Sequence, residues 1–517
     1  MTEQELRALV AEVVVLRGTV QYRDEENELI ASGAVLNSQV GGTDIIARCR
    51  ELRAMAPGPL TLQCDLETGS AFAADGTEVP PLMALGAAAD EQLAYDWGHA
   101  IGLEGRRLGL DLTWSPVLDI NTNPDNPIIN VRSFGEDRDL VCRLGAAVTR
   151  GLRASGIEPC AKHWPGHGDV AVDSHISLPT VGLSHERLQT VEWEPYRAAR
   201  AAGLTSIMTG HLLVPDVDPE HCATVSPTLI GMLRNDLGFS GPIITDSMGM
   251  EGLRLTLDSA QAAWMALAAG HDQALIDYKR SPLDAYDAVL AACADGRVPE
   301  ARLREAAACV RALKARCAAL PPLPADDQIR AMLHDTSRRV AEASVTLAVG
   351  AIPPVGDLGP RPLCIICDDL ARRGVGIADE QDATGLQGQH PLAVALKARL
   401  HCDVLVLNEA PTPEDLAQAA AALAAASGVV GATFAHIVCY KGEGVRLPAP
   451  QQELWQRAAQ TGKLRTMLLF ESPYALSDLP PGLPVIVGYG ADDFSMAASV
   501  RALLGEVSCP GKLPVTV

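Results

Sequence analysis

The chain has 517 residues, 48% of them hydrophobic, and this length predicts two domains rather than one compact core. Its formal net charge of -22 at pH 7 argues against nucleic acid or an anionic membrane surface as a partner, because both bind basic patches. The opening stretch, MTEQELRALVAEVVVLRG, has no basic region followed by an apolar run, and no later segment approaches the ~20 apolar residues of a membrane span, so we expect a cytoplasmic protein.

Short apolar runs alternate with amphipathic helical stretches over roughly the first 300 residues. The runs are GAVLNSQ (33–39), LTLQCD (60–65), LDLTWSPVLD (110–119), IEPCAKH (157–163), TSIMTGH (205–211), GPIITD (241–246) and DQALID (272–277). The stretches between them, such as ADEQLAYDWGHAIGLEGRRLG, space their apolar residues about 3.6 apart and end near a glycine. This alternation predicts parallel βα units, and their number favours a TIM-type (β/α) barrel over an open sheet.

Nearly every predicted strand of this first part ends in a polar or ionisable residue. These residues are Asp65, Asp119, Lys162 with His163, His211, Asp246 and Asp277. One such residue alone is more typical of a helix cap or a turn. Because barrel enzymes build their sites at the carboxyl ends of the strands, we expect the whole set to converge on one face.

Pro- and Gly-rich stretches divide the rest of the chain. We predict a barrel domain over 1–320, a linker with a connecting helix over 321–360 and a smaller α/β open-sheet (sandwich) domain over 361–517. Its predicted strands are LCIICDD, DVLVLNE, AHIVCY, TMLLFES and PVIVGYG, which indicate a mostly parallel sheet. The thirteen cysteines form no framework and suit a reducing compartment, and Cys364 and Cys367 are predicted as buried core thiols rather than metal ligands.

The stretch KHWPGHGDVAVDSHISLP (162–179) gathers ionisable groups on backbone that its glycines and prolines keep out of a helix. Residues two apart in an extended loop point the same way, so Asp173 can accept a hydrogen bond from one ring nitrogen of His175. That contact sets the tautomer and raises the basicity of the imidazole, as a general acid requires. A turn-capping aspartate beside a solvated histidine is the alternative. We also expect the loop to act as a lid that brings His175 to a substrate on closing.

Six stretches, in order along nearly the whole chain, resemble motifs of glycoside hydrolase family 3. They are SPVLDIN (115–121), NVRSFGED (130–137), AKHWPGHGDVAVDSH (161–175), IMTGHLLVP (207–215), IITDSMGM (243–250) and GYGADDFSMAASVRALLGEVSCPGKLPVTV (488–517). The Asp-Ser-His loop resembles the bacterial β-N-acetylglucosaminidase (NagZ-like) branch in its two-domain form, whereas GKLPVTV is similar to the wider family.

The resemblance implies a retaining exo-glycosidase that releases terminal N-acetylglucosamine without a metal or organic cofactor. Asp246 matches the nucleophile, and His175, oriented by Asp173, matches the general acid/base. The residues that match contacts to the terminal sugar are Asp65, Arg132, Lys162 and His163, with Asp119 and His211 as support. The expected partner is a small glycoside, either a peptidoglycan fragment in cell-wall recycling or another amino-sugar glycoside. The chain is expected to be a monomer or homodimer.

Two departures and three alternatives accompany this interpretation. The family's usual DQEGG followed by a basic residue is CDLETGSA here, which keeps Asp65 and Glu67 but changes their surroundings. Aromatic residues are only 4% of the chain, with Trp164 the obvious one near the site, so we expect a small sugar rather than a polysaccharide.

The first alternative is a family 3 β-glucosidase, whose acid/base would be a second-domain glutamate, with Glu443 the candidate. The second is a catalytically silent sugar-binding protein. The third is a phosphorylase, because a neutral imidazole does not repel phosphate as a carboxylate would.

Overall fold

The computed structural model describes residues 1–17, 33–35, 44–56, 58–276, 281–318, 320–369, 390–437 and 445–517. Two of the residues singled out above, Asp277 and Glu443, lie outside these ranges.

Eight parallel strands form the first sheet, in the order β7-β6-β5-β4-β3-β2-β1-β8. Their bounds are β1 Val14–Arg17, β2 Gly33–Val35, β3 Thr61–Cys64, β4 Leu112–Thr113, β5 Glu158–Trp164, β6 Ser206–Thr209, β7 Ile243–Thr245 and β8 Ala274–Leu275. A parallel bridge between Ile244 and Gln273 joins β7 to the start of β8 and closes the barrel. The predicted TIM-type barrel is confirmed.

Helices surround this barrel, and sequence signals fix their ends. They span Glu3–Val13, Ile45–Met55, Leu82–Ala88, Glu91–Leu108, Arg138–Ser155, His185–Arg187, Glu194–Ala201, Pro227–Asn235, Glu251–Arg254, Ser259–Ala269, Pro282–Ala294 and Glu300–Cys317. The Asp90 side chain caps Glu91–Leu108 by accepting from the Leu93 N–H, and the helix stops at Gly109, which has a φ of 94°. Within the described ranges, none of the helices combines the length and apolar character needed to cross a membrane.

Six strands form the second sheet, in the order β11-β10-β12-β13-β14-β9. They are β9 Thr346–Val349, β10 Pro362–Asp368, β11 Asp403–Asn408, β12 Gly428–Ala435, β13 Leu464–Glu471 and β14 Val485–Val487, with helices at Asp326–Ser344, Pro391–Leu400, Pro413–Ala425, Ala449–Gln460 and Asp493–Leu503. Among these strands of the described ranges, only β9 runs antiparallel to its neighbour. The expected smaller α/β domain after the barrel is therefore confirmed, and we keep 1–320, 321–360 and 361–517 as a proposed division.

Three strand assignments from sequence were incomplete or misplaced. β1 was missed because it follows helix Glu3–Val13 without an intervening turn signal. β9 was also missed: the connecting helix predicted within 321–360 ends at Ser344, and the β-branched run that follows it pairs with β14. The predicted strand AHIVCY begins too late: the strand spans Gly428–Ala435, which has apolar or small residues throughout and lies between β10 and β13, and residues 438–440 of the prediction lie outside the described residues.

The segment at 512–516 runs back against the barrel. The Pro514 carbonyl accepts from the Glu136 N–H at 3.1 Å, and the Thr516 N–H donates to the Glu136 carboxylate at 2.9 Å. Gly135 is required at this contact, because a Cβ there would lie 2.4 Å from the Pro514 carbonyl oxygen. Elsewhere, the Asn121 side chain donates to the Tyr474 hydroxyl at 2.8 Å. The second domain therefore contacts the same face of the barrel that carries the strand ends.

Candidate active site

A cavity of about 470 Å³ opens at the carboxyl ends of the barrel strands and is closed on one side by the second domain. This volume is typical of small-molecule sites, which run from ~300 to ~1,000 Å³. Six of the nine predicted site residues line it: Asp65, Arg132, Lys162, His163, His175 and Asp246. The sequence therefore predicted side chains that the fold brings together from positions up to 181 residues apart.

Two carboxylates and two cations form a network on one wall of this cavity. The Arg132 guanidinium donates to both oxygens of Glu67, at 2.7 and 2.9 Å, and the Lys162 ammonium contacts both Asp65 and Glu67. Burial raises the pKa of Glu67, but Arg132 and Lys162 outweigh burial and hold the pKa well below its ordinary value. Burial lowers the pKa of Lys162, and the two carboxylates outweigh it and raise the pKa. All four groups keep fixed positions and, for Glu67 and Lys162, fixed charges.

Asp119 holds the start of the 162–179 loop from beneath. Its carboxylate accepts from the Nδ1 of His163 at 2.7 Å and from the His167 backbone N–H at 2.7 Å. The His163 ring therefore presents Nε2 toward Arg132, whose Nη2 lies 3.5 Å away. Burial lowers the pKa of His167 to about 4, so that ring is neutral near pH 7. Asp119 does not line the cavity, and its contacts set the orientation of a histidine that does.

Asp246 follows β7 directly, at the mouth of the barrel. Its backbone N–H donates to the Thr209 carbonyl, and its carboxylate accepts from the Ser247 N–H at 2.7 Å. Burial raises the pKa of Asp246, but the neighbouring histidines and the Ser247 N–H outweigh burial, so the pKa lies below its ordinary value. His211 lies beneath, where its Nε2 donates to the Ser247 carbonyl at 2.9 Å and its Nδ1 accepts from the Thr224 hydroxyl at 2.7 Å. The carboxylate therefore stays ionised on a rigid support.

The loop after β5 carries an imidazole to the same cavity. Asp173 accepts from the Nδ1 of His175 and from its backbone N–H, both at 2.8 Å, and the Asp173 side chain is only 1% exposed. Gly168 lets the loop lie against the barrel, because a Cβ there would be 1.8 Å from the Ile120 carbonyl oxygen. Because Nδ1 bonds to Asp173, a proton exchanged between His175 and a molecule in the cavity would pass through Nε2.

Three predicted site residues, Asp119, Asp173 and His211, lie behind the cavity lining and hold residues that form it. The expectation that Trp164 is the aromatic residue of the site was wrong. Trp164 is fully buried, because its ring stacks on Trp193 at 4.7 Å beneath the loop. The cavity aromatics are Phe72, Trp114 and Tyr489.

Sequence reasoning missed the residues that the second domain contributes. Glu471 ends β13 and lines the cavity, as do Ile437 and the segment 489–491. The signal was present, since TMLLFES places a glutamate at a strand end, as in the barrel strands. Among the described residues, no group of three or more His, Cys, Asp or Glu side chains is arranged to hold a metal ion.

This arrangement can support covalent chemistry at one carbon atom. An ionised carboxylate, Asp246, shares a cavity with an imidazole that a second carboxylate orients, His175. The first can act as a nucleophile and the second as a proton donor and acceptor. The network of Asp65, Arg132 and Lys162 offers both donors and acceptors for hydroxyl groups.

Comparisons with known proteins bear on these features. The family model described as "Glycosyl hydrolase family 3 N terminal domain" matches residues 6–313. The chain is 29% identical to a "Beta-N-acetylglucosaminidase/beta-glucosidase" of Cellulomonas fimi, covering 93% of this chain and 88% of the relative. It is 28% identical to "Beta-hexosaminidase A" of Pseudoalteromonas piscicida, covering 81% of this chain and 75% of the relative.

Among solved structures, the chain is similar to a glycoside hydrolase family 3 beta-N-acetylglucosaminidase from Paenibacillus sp. str. FPU-7. The TM-score is 0.85 at 29% identity, covering 100% of this chain and 99% of the other. A beta-glucoside phosphorylase, at 21% identity and a TM-score of 0.83 over 100% of this chain and 96% of the other, shares the fold.

Proposed function

The chain belongs to glycosyl hydrolase family 3, a family of glycoside hydrolases, and from that premise we propose that it is a retaining exo-β-N-acetylglucosaminidase. The single observation that carries the proposal is the pairing, in one cavity, of an ionised Asp246 with a His175 that Asp173 holds through Nδ1. The name of the Paenibacillus sp. enzyme supports N-acetylglucosamine as the sugar, and the name of the Cellulomonas fimi relative gives both N-acetylglucosaminidase and β-glucosidase.

The proposed reaction has two steps. The Asp246 carboxylate attacks the anomeric carbon and forms a covalent glycosyl-enzyme, while protonated His175 gives its Nε2 proton to the departing oxygen. The neutral imidazole then takes a proton from water, and the water oxygen displaces Asp246 from the anomeric carbon. Two inversions at that carbon return the original configuration.

Binding of the terminal sugar would fall to the cavity residues of the ion-pair network and to His163. Asp65, Arg132, Lys162 and His163 would hold hydroxyl groups, because contacts with one another, with Glu67 and with Asp119 fix their positions before any substrate arrives. Asp119 and His211 would act through His163 and through the Ser247 backbone. The substrate we propose is a small amino-sugar glycoside, with peptidoglycan fragments in the cytoplasm as the first to test.

Phosphorolysis is a second candidate, favoured by one observation. The group beside the glycosyl-enzyme is an imidazole, which is neutral after it donates its proton and does not repel an anion. A phosphate oxygen could therefore attack the anomeric carbon in place of water, releasing Asp246 and giving the sugar 1-phosphate.

The test is turnover of 4-nitrophenyl β-N-acetylglucosaminide by the wild type, Asp246→Asn and His175→Ala, with and without phosphate. We expect wild-type activity, almost none in Asp246→Asn, and a loss of ~10²- to 10⁴-fold in His175→Ala, the range for general acid–base catalysis. Turnover of the glucoside but not of the amino sugar would contradict the proposal and favour the β-glucosidase. A sugar-binding protein without activity would turn over neither. Equal release of free sugar with and without phosphate, and no sugar 1-phosphate, would refute phosphorolysis.

A further inference from the structure

Four titratable residues that contact one another lie along the edge of the second sheet, and the last of them lines the cavity. Asp368 is the last residue of β10, His436 follows β12, Glu471 is the last residue of β13, and His390 precedes helix Pro391–Leu400. The carboxyl ends of parallel strands lie at one edge of a sheet, which is where open α/β sheets bind ligands. We call these four residues the sheet-edge cluster.

Contacts within the sheet-edge cluster run in one direction, toward the cavity. The Nε2 of His390 donates to one oxygen of Asp368 at 2.8 Å, and the Nε2 of His436 donates to the other. The remaining nitrogen of His436, Nδ1, lies 3.1 Å from a carboxylate oxygen of Glu471. His436 therefore lies between the carboxylates of Asp368 and Glu471, and its position is linked to both.

Glu471 is held in place on both sides. Its second oxygen accepts from the Ile437 N–H at 3.1 Å. Its backbone has a φ of 62°, a left-handed conformation that is uncommon for any residue with a Cβ and that clusters at functional sites. The side chain is 9% exposed and forms part of the cavity wall. These contacts fix the position of Glu471 in the cavity wall.

The position of Glu471 indicates which part of a glycoside it would meet. The proposed sugar contacts and Asp246 lie at the barrel strand ends, so the leaving group must extend away from those strands. The second domain closes that side: a Cβ on Gly490 would lie 3.0 Å from the Pro81 ring, so this segment abuts the barrel loop. The exposed residues Thr68 and Glu78 of the same loop mark the outer rim of the cavity.

We propose that Glu471 accepts a hydrogen bond from a hydroxyl group of the first leaving-group sugar, and that His436 positions it. This inference rests on the proposed glycosidase function and adds a specificity determinant from the second domain. The barrel would select the terminal sugar, and the sheet-edge cluster would select what is attached to it.

The experiment compares two substrates with the same terminal sugar and different leaving groups. For Glu471→Gln, kcat/KM on N,N′-diacetylchitobiose should fall about tenfold or more, the scale of a hydrogen bond to a charged group, whereas kcat/KM on 4-nitrophenyl β-N-acetylglucosaminide should fall less than about threefold. His436→Gln should give the same selective loss through Glu471. The matched control is Glu453→Gln, an exposed glutamate of helix Ala449–Gln460, which should change neither value.

Several results would overturn the inference. Equal losses on both substrates would mean that Glu471 contacts the terminal sugar or stabilises the fold. Unchanged activity on the disaccharide would mean that Glu471 does not contact the leaving-group sugar. Rescue of Glu471→Gln by azide, with formation of the glycosyl azide, would make it the acid/base instead. In these cases wild-type activity on the nitrophenyl substrate still supports the proposed function. No wild-type turnover of either substrate would refute the proposed function and this inference with it.

Discussion

Replacing Asp173 by Asn tests how His175 is held. The substitution keeps the shape of the side chain but removes the charge that accepts from the Nδ1 of His175 at 2.8 Å. A hydrogen bond to a charged partner contributes about 1.5 to 3 kcal/mol, and the full range applies because the Asp173 side chain is 1% exposed. Since each ~1.4 kcal/mol of activation free energy is a factor of ten in rate, we expect kcat to fall roughly 10- to 100-fold.

The assay uses aryl β-N-acetylglucosaminides whose leaving groups differ in basicity. The loss in Asp173→Asn should grow as the leaving group becomes more basic, because such groups depend more on proton donation. Asp169→Asn is the control, since this aspartate lies in the same loop and accepts from the Thr122 hydroxyl at 2.9 Å. A loss that is the same for every leaving group, or an equal loss in the control, would refute the assignment of His175 as the proton donor.

Two further predictions concern stability. Glu67→Gln should lower the free energy of unfolding by about 3 kcal/mol, because it leaves Arg132 and Lys162 without their shared carboxylate. This value is at the lower end of the cost of breaking a buried ion pair. Urea unfolding measures the change, and a free energy of unfolding equal to that of Glu453→Gln would contradict the prediction. Burial raises the pKa of Glu192 from 4.5 to about 7, a change that corresponds to roughly 3 kcal/mol. The stability that protonated Glu192 contributes is present below pH 4.5 and is lost as the pH rises through 7. Glu192→Gln should therefore raise Tm at pH 8 relative to wild type more than at pH 4.5, and an equal change at both pH values would show that ionisation is not the cause.

The barrel was predictable because its signals are local. Apolar runs that alternate with helices, and polar residues such as Asp65 and Asp246 at strand ends, need no long-range information. The same rule applied to TMLLFES would have pointed to Glu471. The sequence could not show whether a strand-end side chain faces the cavity or a partner behind its wall. Asp119 and His211 carry the same strand-end signal as Asp246, yet Asp119 bonds to His163 and His211 bonds to the Ser247 carbonyl behind the lining.

The second sheet was harder because its strands are less distinct from their surroundings. The run Gly428–Ala435 is made of small and apolar residues that also suit a helix end, and only its pairing with β10 and β13 decides its structure. The ion-pair network in the cavity was also unpredictable, because it depends on contacts between residues far apart in the sequence. The residues next to Glu67 suggest only a turn. Its place as the shared carboxylate of the network follows from contacts with Arg132 and Lys162, which are 65 and 95 positions further along the chain.

The contact between Thr516 and Glu136 spans 380 residues of chain. Ribosomes add about 5 to 20 residues each second, so during synthesis Glu136 precedes its partner by roughly 20 to 80 s. The barrel turn that carries Arg132 lies four residues before Glu136, so the contact that ties this region to the second domain forms only after residue 516 has been synthesised. Because Glu471 and the segment 489–491 also line the cavity, the barrel residues of the site are synthesised well before the residues that close it, and the full site exists only once the second domain has been made.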